Sequence, residues 1–569
     1  MKKLFPFLRP YLGRMTLGFA IKVAGTIAEL LIPWALSVMV DDVIPRQSVR
    51  DVLLWGIVML LFAAAALVCN IAANRMASLV ARNTTERIRL QLYSRISFLS
   101  LRQQSAFTLP SLISRATSDT YNVHQFLGMM QRLGVRQPIM LVGGLAVTFL
   151  MDAKLSLVMV ALLPFMVFFV LLFCTKGVPM YTRVQEALDR FIRLVREDTT
   201  GIRVIKALSK TEEERRKFQK INREVVDRDF KAGLVMGAMR PVVGIVLNIG
   251  VVLVVYVGAV RVNRGQTSPG VIVAFLSYVS IILNSILFLS RLFISYSKAS
   301  ASAGRIAEVL EQPEDLLIEQ KDRRDFSAQI VFDQVSFGYG PEECVRNLSF
   351  DVPRGTTLGI IGATGSGKTT VINLLMRYYD PQAGAVFIDG LDVRAYSSAQ
   401  LMTKFGAVFQ NDVIFHDTIR ENIRFGRNIS DGEIWKAVRC AQAEDFVRAR
   451  GLDDMCAIRG MNLSGGQKQR ILIARALAGK PEILVFDDAS SALDYETDAR
   501  LRAAIRENYG SITTVIVAQR VSSIMYADRI LVMDEGQIIG DGKHADLMQN
   551  CAVYREISDT QMGRGEVIG

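Results

Sequence analysis

The first half of the chain contains six apolar runs, each about as long as a helix that crosses a lipid bilayer. They lie at about 15–40, 53–73, 129–151, 155–176, 234–260 and 270–294. The hydrocarbon core of a bilayer takes roughly 20 apolar residues as a helix, and only helices or closed barrels satisfy their backbone polar groups there. The sequence therefore predicts six membrane-spanning helices, of which the third is the most polar because it contains Arg132, Arg136 and Gln137.

The second half of the chain has a different pattern. Beyond about Ser327, strand-like stretches such as "QIVFDQVSF" and "TTVIVAQ" alternate with helical ones. This alternation is typical of an α/β domain with a largely parallel sheet. We therefore predict an all-α transmembrane domain of six spans over residues 1–310, with long cytoplasmic helical extensions. A linker over 311–327 and an α/β domain over 328–569 follow it.

The distribution of positive charge orients the spans. The formal net charge is +12, and the two long loops after the second and fourth spans hold 22 Lys and Arg residues, against 5 in the three short loops. Cytoplasmic loops are the ones enriched in Lys and Arg. The long loops, both termini and the α/β domain are thus expected on the cytoplasmic face of the cell membrane. This explains the charge of a multi-pass protein without a nucleic-acid partner.

The two long loops are rich in helix-forming residues, and we expect them to extend the spans as paired helices. Loops of this length without structure are unusual in proteins. At their tips, "TLPSLISRATSDT" and "GIRVIKALSKTEEE" are expected to form short elements that face the α/β domain.

The segment "GIIGATGSGKTT" is the most specific signal in the chain. It follows the strand-like "TTLGII" and precedes a helical pattern, which is the context that a phosphate-binding loop requires. Its glycines let successive backbone N–H groups face phosphates, and the helix N-terminus adds a favourable dipole. Lys368 is expected to reach the β- and γ-phosphates of ATP, and the Thr369 hydroxyl to ligate Mg²⁺. The predicted ATP-binding residues here are Gly362, Ala363, Thr364, Gly365, Ser366, Gly367, Lys368, Thr369 and Thr370.

A second motif, "LSGGQKQR", also opens a helix. Ser464 is placed to cap that helix, whose first N–H groups are then available to an anion. Taken alone, the motif fits a simple capped helix equally well. Two anion-binding helix starts in one domain suggest that two such domains clamp ATP between them. The residues concerned are Leu463, Ser464, Gly465, Gly466 and Gln467.

A third motif, "ILVFDDASSALD", is an apolar strand that leads into Asp487 and Asp488. With six spans, the phosphate loop and "LSGGQ", it makes nearly the whole chain resemble an ATP-binding-cassette (ABC) exporter half-transporter. That resemblance implies two ATP sites in a dimer, each joining one chain's phosphate loop to the other's "LSGGQ". It further implies that Tyr339 stacks on adenine, that Asp487 and Gln410 hold Mg²⁺, and that Asp494 contacts the other subunit.

Three positions depart from the family pattern. Asp488 stands where the family has the Glu that acts as general base, Gln519 replaces the switch histidine, and Ile458 replaces a frequent Glu before the signature. The shorter side chain withdraws the carboxylate by roughly 1.5 Å, about one carbon–carbon bond. A misplacement of about 1 Å can cost on the order of 10²-fold in rate. Glutamine at position 519 still hydrogen-bonds a phosphate oxygen but brings no positive charge.

These departures predict a site that binds ATP and Mg²⁺ but barely hydrolyses ATP, beside an intact signature. We therefore expect a heterodimer with a second, non-identical half-transporter that carries Glu and His at these places. The expected function is ATP-driven export of amphipathic compounds, namely drugs, lipids or peptides. An ATP-sensing regulatory or channel-gating subunit is the alternative, while six fused spans argue against a soluble cassette protein and fusion of spans to cassette argues against import.

Polar residues inside spans are candidates for a cargo path, because their burial in lipid is costly. Two simpler explanations stay open: Lys22 and Glu29, two turns apart, can pair, and Arg136 or Arg291 can extend to the interface. The candidates are Lys22, Glu29, Arg136, Arg240, Asn248, Asn284 and Arg291.

Overall fold

The computed structural model describes residues 2–489 and 493–562. Ser490, Ser491 and Ala492 of the "ILVFDDASSALD" motif, and residues 563–569 of the predicted α/β domain, lie outside the described residues. The chain divides into two compact units. The first comprises Met1–Phe98 and Phe107–Gln312, and the second comprises Leu99–Ala106 and Pro313–Gly569.

The first unit is helical throughout. Among the described residues, six helical segments are long and apolar enough to cross a membrane. The first five predicted spans each fall within one of them, whereas the sixth, about 270–294, runs past the end of the segment Pro269–Phe288 and stays within the helix Pro269–Leu310. Three of the helices have 49, 48 and 53 residues, so they continue well past the 20 or so residues of a span. This confirms the predicted fold class of spans with long helical extensions. The helices up to Leu310 are α1 Phe5–Leu8, α2 Leu12–Val38, α3 Val49–Ser97, α4 Leu101–Phe107, α5 Leu109–Ser114, α6 Thr120–Met151, α7 Ala153–Thr200, α8 Ile202–Ala207, α9 Thr211–Asn263 and α10 Pro269–Leu310.

Helices α2, α6 and α10 pack around a common apolar core that includes Leu30, Met140 and Tyr278. The Tyr278 hydroxyl is fully buried and donates a hydrogen bond to the Leu30 carbonyl at 2.6 Å, so its polar atom is satisfied. By contrast, α3 presents a row of exposed large side chains such as Leu60 and Leu61. An apolar face of this kind fits contact with lipid rather than water.

The tips of the helical extensions form short helices, as predicted, and one further tip helix, α4, was not predicted. The helix α4 lies in a segment, Leu99–Ala106, that belongs to the second unit. There the Ser100 hydroxyl donates to Asp315 at 2.5 Å, and the Gln103 amide donates to the Pro313 carbonyl at 2.7 Å. The predicted tip "TLPSLISRATSDT" instead forms α5 and a π-helical turn in the first unit. Thr108, with φ of 59°, separates the two helices.

The second unit contains two sheets. A six-stranded sheet has the order β10-β9-β3-β8-β7-β6, in which only β10 is antiparallel to its neighbour. A four-stranded antiparallel sheet has the order β2-β1-β4-β5. The largely parallel sheet was predicted, whereas the antiparallel one was not. The strands are β1 Ile330–Phe337, β2 Val345–Val352, β3 Thr357–Gly362, β4 Ala383–Ile388, β5 Leu391–Asp392, β6 Phe405–Val408, β7 Ile483–Asp487, β8 Thr513–Val517, β9 Arg529–Asp534 and β10 Gln537–Gly542.

Ten helices cover these sheets in the described residues. All five residues of β7 are buried, as expected of a central strand of a parallel sheet covered on both faces. The segment between Leu310 and β1 has neither helix nor strand, yet it is tied to the second unit, because the Arg377 guanidinium donates to the Leu317 carbonyl at 2.5 Å. The helices are α11 Lys368–Leu375, α12 Ser398–Thr403, α13 Ile419–Arg424, α14 Asp431–Cys440, α15 Glu444–Arg450, α16 Gly465–Ala478, α17 Tyr495–Asn508, α18 Val521–Ile524, α19 His544–Asn550 and α20 Ala552–Met562.

Candidate nucleotide site and candidate cargo path

The carboxyl ends of four neighbouring strands bring the predicted nucleotide residues to one edge of the sheet. In spatial order, β3 runs into the phosphate loop, β8 leads to Gln519, β7 ends at Asp487 and β6 leads to Gln410. The registers keep these ends level, since Asp487 pairs with Val517 on β8. Ligands of open α/β sheets bind at such an edge. The fold therefore assembles segments that are more than 150 residues apart in the sequence.

The phosphate loop joins β3 to α11 with a backbone that only glycine adopts easily. Gly365 and Gly367 have φ of 88° and 98°. A Cβ at Gly367 would lie 2.7 Å from a Val345 methyl carbon, and a Cβ at Gly362 would lie 2.1 Å from the Met533 carbonyl oxygen. Gly367 caps α11 without a side chain, which leaves the first N–H groups of the helix to face an anion.

The Lys368 ammonium lies over this loop. It donates to the carbonyl oxygens of Gly362 at 2.8 Å and Ala363 at 2.7 Å. Burial lowers the pKa of Lys368, while the negative charges of Asp487 and Asp488 act in the opposite direction. The two carboxylates favour the charged form of Lys368, and a charged ammonium at this loop can compensate the negative charge of a bound phosphate.

Asp487 and Asp488 are adjacent carboxylates in a partly dry site. Burial raises the pKa of Asp487, and the negative charge of Asp488 raises it further, while a hydrogen bond with Thr369 opposes both effects. Burial also raises the pKa of Asp488, against the positive charges of Arg520 and Lys368. The two carboxylates thus repel each other, and a cation would relieve that repulsion.

The position of Asp488 is set by the turn that follows β7. Its backbone N–H donates to the Val517 carbonyl at 2.8 Å, and its φ is 53°. Asp tolerates this left-handed conformation better than most residues. The Gln410 amide, two residues past the end of β6, lies 3.5 Å from Asp488 Oδ2, so the predicted metal residue is next to this carboxylate.

The residues fit ATP with Mg²⁺ by their chemistry. A threonine hydroxyl beside a buried carboxylate supplies hard oxygen ligands, and phosphate-bound Mg²⁺ needs only one or two of these from protein. Within the described residues, no group of three or more His, Cys, Asp or Glu side chains is arranged to hold a metal ion. When bound, Mg²⁺ would neutralise phosphate charge, and Thr369, Asp487 and Gln410 would hold it.

Tyr339 stands beside the start of α11, where the sequence placed the adenine. Its hydroxyl accepts a hydrogen bond from the Asn373 amide at 2.8 Å and lies 3.4 Å from the Thr370 hydroxyl. The ring packs edge-on against Phe337 and Tyr379. These rings line a cavity of about 260 Å³. Half of the Tyr339 side chain is exposed, so a flat aromatic face is available to a ligand.

Gln519 follows β8, and its side chain is exposed. Its backbone carbonyl accepts a hydrogen bond from the Gln561 amide at 2.7 Å, and Gln561 in turn accepts from the Val521 N–H at 2.8 Å. One side chain of α20 therefore clamps the segment in which the family carries its switch histidine.

The signature segment caps its own helix. Ser464 accepts from the Gln467 N–H at 3.2 Å, and the Gln467 side chain accepts from the Ser464 N–H at 3.0 Å. This capping box confirms the predicted helix start. Asp494 plays the same part for α17, accepting from the Thr497 N–H at 2.8 Å. Ile458, where the family often has Glu, is exposed in a short 3₁₀ turn.

The membrane unit separates the candidate cargo residues into two groups. Glu29 pairs with Arg136, not with Lys22: its carboxylate receives Arg136 at 2.5 and 3.1 Å. Lys22 is 3% exposed and donates to the Asn70 and Asn74 side chains at 2.6 and 3.1 Å. The Lys22–Glu29 pairing considered from spacing is therefore wrong, because neighbouring helices offer each group a closer partner. The other four candidates, Arg240, Asn248, Asn284 and Arg291, are exposed on α9 and α10.

Sequence reasoning missed several residues of these sites. Asn70 and Asn74 on α3 contact Lys22. Two polar residues one turn apart near the end of an apolar span could have indicated this contact. Arg520, the residue after Gln519, was also missed, although its positive charge acts on Asp488. Asn373 lies one turn into α11, but no motif marks its contact with Tyr339.

Comparison with known proteins agrees with this architecture. Residues 15–286 match the ABC transporter transmembrane region, and residues 345–491 match the ABC transporter ATPase family. An uncharacterized ABC transporter ATP-binding protein of Mycobacterium tuberculosis is 33% identical over 565 residues, 97% of each chain. One of Bacillus subtilis, YfiB, is 33% identical over 570 residues, 99% of each chain.

Two further relatives bear on fold and cargo. A protein of Mycobacterium bovis named fatty acid ABC transporter ATP-binding/permease protein is 30% identical over 524 residues, 91% of this chain and 83% of the relative. The solved structure of a bacterial Atm1-family ABC exporter with ATP bound superposes with a TM-score of 0.80 at 24% identity, covering 98% of this chain and 99% of the other. The chain belongs to the ABC transporter family, as an exporter-type half-transporter in which a six-helix membrane domain is fused to its ATPase.

Proposed function

We propose that this chain is one half of a heterodimeric ATP-driven exporter, and that its own phosphate loop forms the weakly hydrolysing ATP site. The observation that carries the proposal is the pairing of an intact phosphate loop with Asp488 at the base position. The loop has its glycine backbone and Lys368 in place, so ATP binding is supported. A general base must come within about 2.6–3.2 Å of its proton, and Asp488 is one methylene short of the family's Glu.

The electrostatics of Asp488 support the same conclusion. A base at this position works best as a carboxylate with its negative charge directed at the attacking water. Here Arg520 and Lys368 both act on Asp488, and the Gln410 amide lies against its Oδ2 atom. The negative charge of Asp488 therefore interacts with groups of its own chain, which makes the carboxylate a weaker base toward water. Gln519 adds no positive charge to stabilise the γ-phosphate.

The intact signature argues for a partner with a competent site. The Ser464 and Gln467 capping box leaves the start of α16 ordered, with Gly465 exposed. In an ABC dimer this segment completes the ATP site of the other subunit. A homodimer would combine two sound signatures with two weak bases. A heterodimer in which the partner carries Glu and His has one competent site, and this chain's signature completes it.

The cargo we propose is amphipathic. Six spans place the protein in the bilayer, and a relative 30% identical in sequence is named a fatty acid transporter. A membrane cavity beside Lys22, Glu29 and Arg136 offers both polar and apolar walls. Lipid-like molecules, drugs and hydrophobic peptides share that character.

The test is ATP turnover of the purified full-length chain alone, reconstituted in lipid, against the chain co-purified with its partner. We expect the chain alone to bind ATP with Mg²⁺ and to hydrolyse it on the order of 10²-fold more slowly than the complex, because a base misplaced by about 1 Å costs that much. A turnover of several ATP per second by the chain alone, which is an ordinary kcat for an enzyme, would contradict the proposal.

An ATP-sensing or gating subunit is the second candidate, and the same pairing of sound binding residues with a short base favours it. The two candidates differ in their need for hydrolysis. A partner variant that binds but cannot hydrolyse ATP stops an exporter and leaves a gated pathway responsive to ATP. Cargo flux through vesicles that contain this variant distinguishes them.

A further inference from the structure

The cavity between α2, α3 and α6 has an unbalanced charge. It measures about 610 Å³ and is lined by three basic side chains, Lys22, Arg132 and Arg136, against one acidic side chain, Glu29. The Glu29 carboxylate is taken by Arg136 at 2.5 Å. Lys22 has only the amide oxygens of Asn70 and Asn74, and Arg132 donates to the Gly128 carbonyl of its own helix at 3.0 Å. Two positive charges therefore face the cavity with no carboxylate bound to either among its lining residues.

An uncompensated charge at membrane depth calls for a counter-ion. Burying an ammonium without an opposite charge is costly, and intramembrane ionisable groups usually mark a ligand or ion path. Neutral amide oxygens hold Lys22 in place, at 2.6 and 3.1 Å, without cancelling its charge. The Lys22 ammonium and the Arg132 guanidinium are thus positively charged hydrogen-bond donors held in place, and such donors bind carboxylates and phosphates.

The depth of the charged end favours a ligand that lies in the cytoplasmic leaflet. Lys22 is seven residues into its span, about 10 Å at 1.5 Å per residue. Asn70 and Asn74 lie at the cytoplasmic end of the second span, and Arg132 lies one turn into the third. These groups thus lie in the cytoplasmic third of the hydrocarbon core, which is about 30 Å thick, just below the inner lipid head groups.

Apart from the Glu29–Arg136 ion pair, the wall of the cavity is apolar toward the bilayer centre. Along α3 the lining residues change from Asn74 and Asn70 to Leu67, Ala66 and Ala63, and on α2 Ile32 lies ten residues deeper than Lys22. A charged end followed by a methyl-lined end matches a molecule with an anionic head and a hydrocarbon chain. Apolar burial of the chain adds to its binding at about 25 cal/mol per Å².

We propose that this cavity binds the anionic head of an amphipath, a carboxylate or phosphate monoester on a hydrocarbon chain, taken from the cytoplasmic leaflet. This inference rests on the proposed export function and names the class of its cargo. Lys22 and Arg132 hold the head group, and the hydrocarbon chain extends past the Glu29–Arg136 pair, whose charges satisfy each other, along Leu67, Ala66 and Ala63. Cationic amphipaths, which include many drugs, are disfavoured by the same charges.

The experiment measures binding of a fluorescent C16 fatty acid and of its methyl ester to the full-length chain in phosphatidylcholine nanodiscs at pH 8.5, relative to protein-free nanodiscs. We expect the acid to bind at least about 10-fold more tightly than the ester, the size of one charge-assisted hydrogen bond. The double variant K22Q/R132Q should lose this preference. The matched control R75Q removes an exposed positive charge from α3, next to Asn74 but outside the cavity lining, and should keep it.

Equal binding of acid and ester by the unaltered chain would overturn the proposal, as would a preference that survives K22Q/R132Q. Displacement of the fatty acid by an equimolar amount of inorganic phosphate would also overturn it, since the site would then recognise a free anion. If the double variant fails to fold, the variant E29Q serves as a second test, because it removes the only acidic side chain in the cavity lining. Tighter binding of the fatty acid by E29Q supports the proposal, and weaker binding refutes it. No nucleotide is present, so failure here leaves the ATPase test of the proposed function unaffected.

Discussion

At the scale of single residues, the proposed weak hydrolysis depends on one side chain. Asp488 sits in a left-handed turn with φ of 53°, a conformation that Asp tolerates better than longer side chains. Burial raises its pKa, and Arg520 and Lys368 compete for its charge. The residue that is short for catalysis thus suits its backbone and its neighbours, as expected of a position where ATP binding matters more than hydrolysis.

Restoring the longer base should restore hydrolysis at this chain's own site. We expect D488E to raise ATP turnover of the purified chain by on the order of 10²-fold, because the carboxylate advances by about one carbon–carbon bond. The double variant D488E/Q519H should be at least as active. Turnover is measured by phosphate release. D488N is the control, since it lacks a base and should not exceed the unaltered chain; an equal rate for D488E and D488N would refute this role of side-chain length.

The repulsion between Asp487 and Asp488 should appear in the pH dependence of stability. Folding raises the pKa of both groups, so the folded chain binds their protons more tightly than the unfolded chain. Stability in the absence of Mg²⁺ and nucleotide should therefore increase as pH falls from neutral through the raised pKa values toward the ordinary range near 4. D488N should raise the unfolding temperature at pH 7.5, and this gain should shrink as pH falls.

Asp453 provides a control of opposite sign. The Arg420 guanidinium holds the pKa of Asp453 below its usual value, so the folded chain binds that proton less tightly. Its stabilisation is present above the ordinary pKa and is lost as pH falls through the lowered one. D453N should accordingly lower the unfolding temperature at pH 7.5, as followed by circular dichroism. The same direction of change for D488N and D453N would contradict the assignment.

At the scale of elements, the start of α16 combines a structural and a functional task. Ser464 satisfies one of the helix's open N–H groups through the capping box, and the glycines after it leave the others open. Helix α14 begins in the same way, with Ser430 and Glu433 forming an equivalent capping box. Helix α14 thus gives the start of α16 a matched counterpart that does not carry the signature.

Comparing these caps separates folding from function. S464A and S430A should each lower the free energy of unfolding of the second unit by about 1 kcal/mol, the usual loss for an N-cap. S464N should keep the stability, because Asn caps as well as Ser. In the complex with the partner, only S464A should also reduce ATP hydrolysis. Stability is read from urea unfolding, and an equal loss of hydrolysis in S430A would show that capping alone explains the effect.

The sequence predicted elements well where the pattern is local, and poorly where a contact is tertiary. Twenty-residue apolar runs specify spans, and a strand, glycines and a helix in succession specify the phosphate loop, because each depends on neighbours in the chain. The Glu29–Arg136 pair joins α2 to α6 and the antiparallel sheet pairs β1 with β4, and both need partners about 50 to 100 residues away. The tip helix α4 was missed because its contacts with Pro313 and Asp315 are tertiary, and Pro110 marks only the start of the next helix, α5.

At the scale of the whole molecule, the proposed heterodimer has two unequal ATP sites, one that mainly binds ATP and one that hydrolyses it. The phosphate loop of this chain is sound but its base is short, whereas its signature has the full capping box and exposed glycine of a working segment. Variants of one chain can therefore address the two composite sites separately. In the proposed heterodimer, Lys368 belongs to the weak site, and Ser464 belongs to the site that the partner's phosphate loop completes.

The most direct measurement compares ATP turnover of the co-purified complex bearing K368A or S464A in this chain alone. The account predicts that S464A lowers turnover by on the order of 10²-fold, since it disturbs the competent site, whereas K368A leaves most of the turnover intact. S430A serves as the stability-matched reference for S464A. Equal losses for K368A and S464A, or a larger loss for K368A, would contradict the central claim that hydrolysis takes place at the partner's phosphate loop.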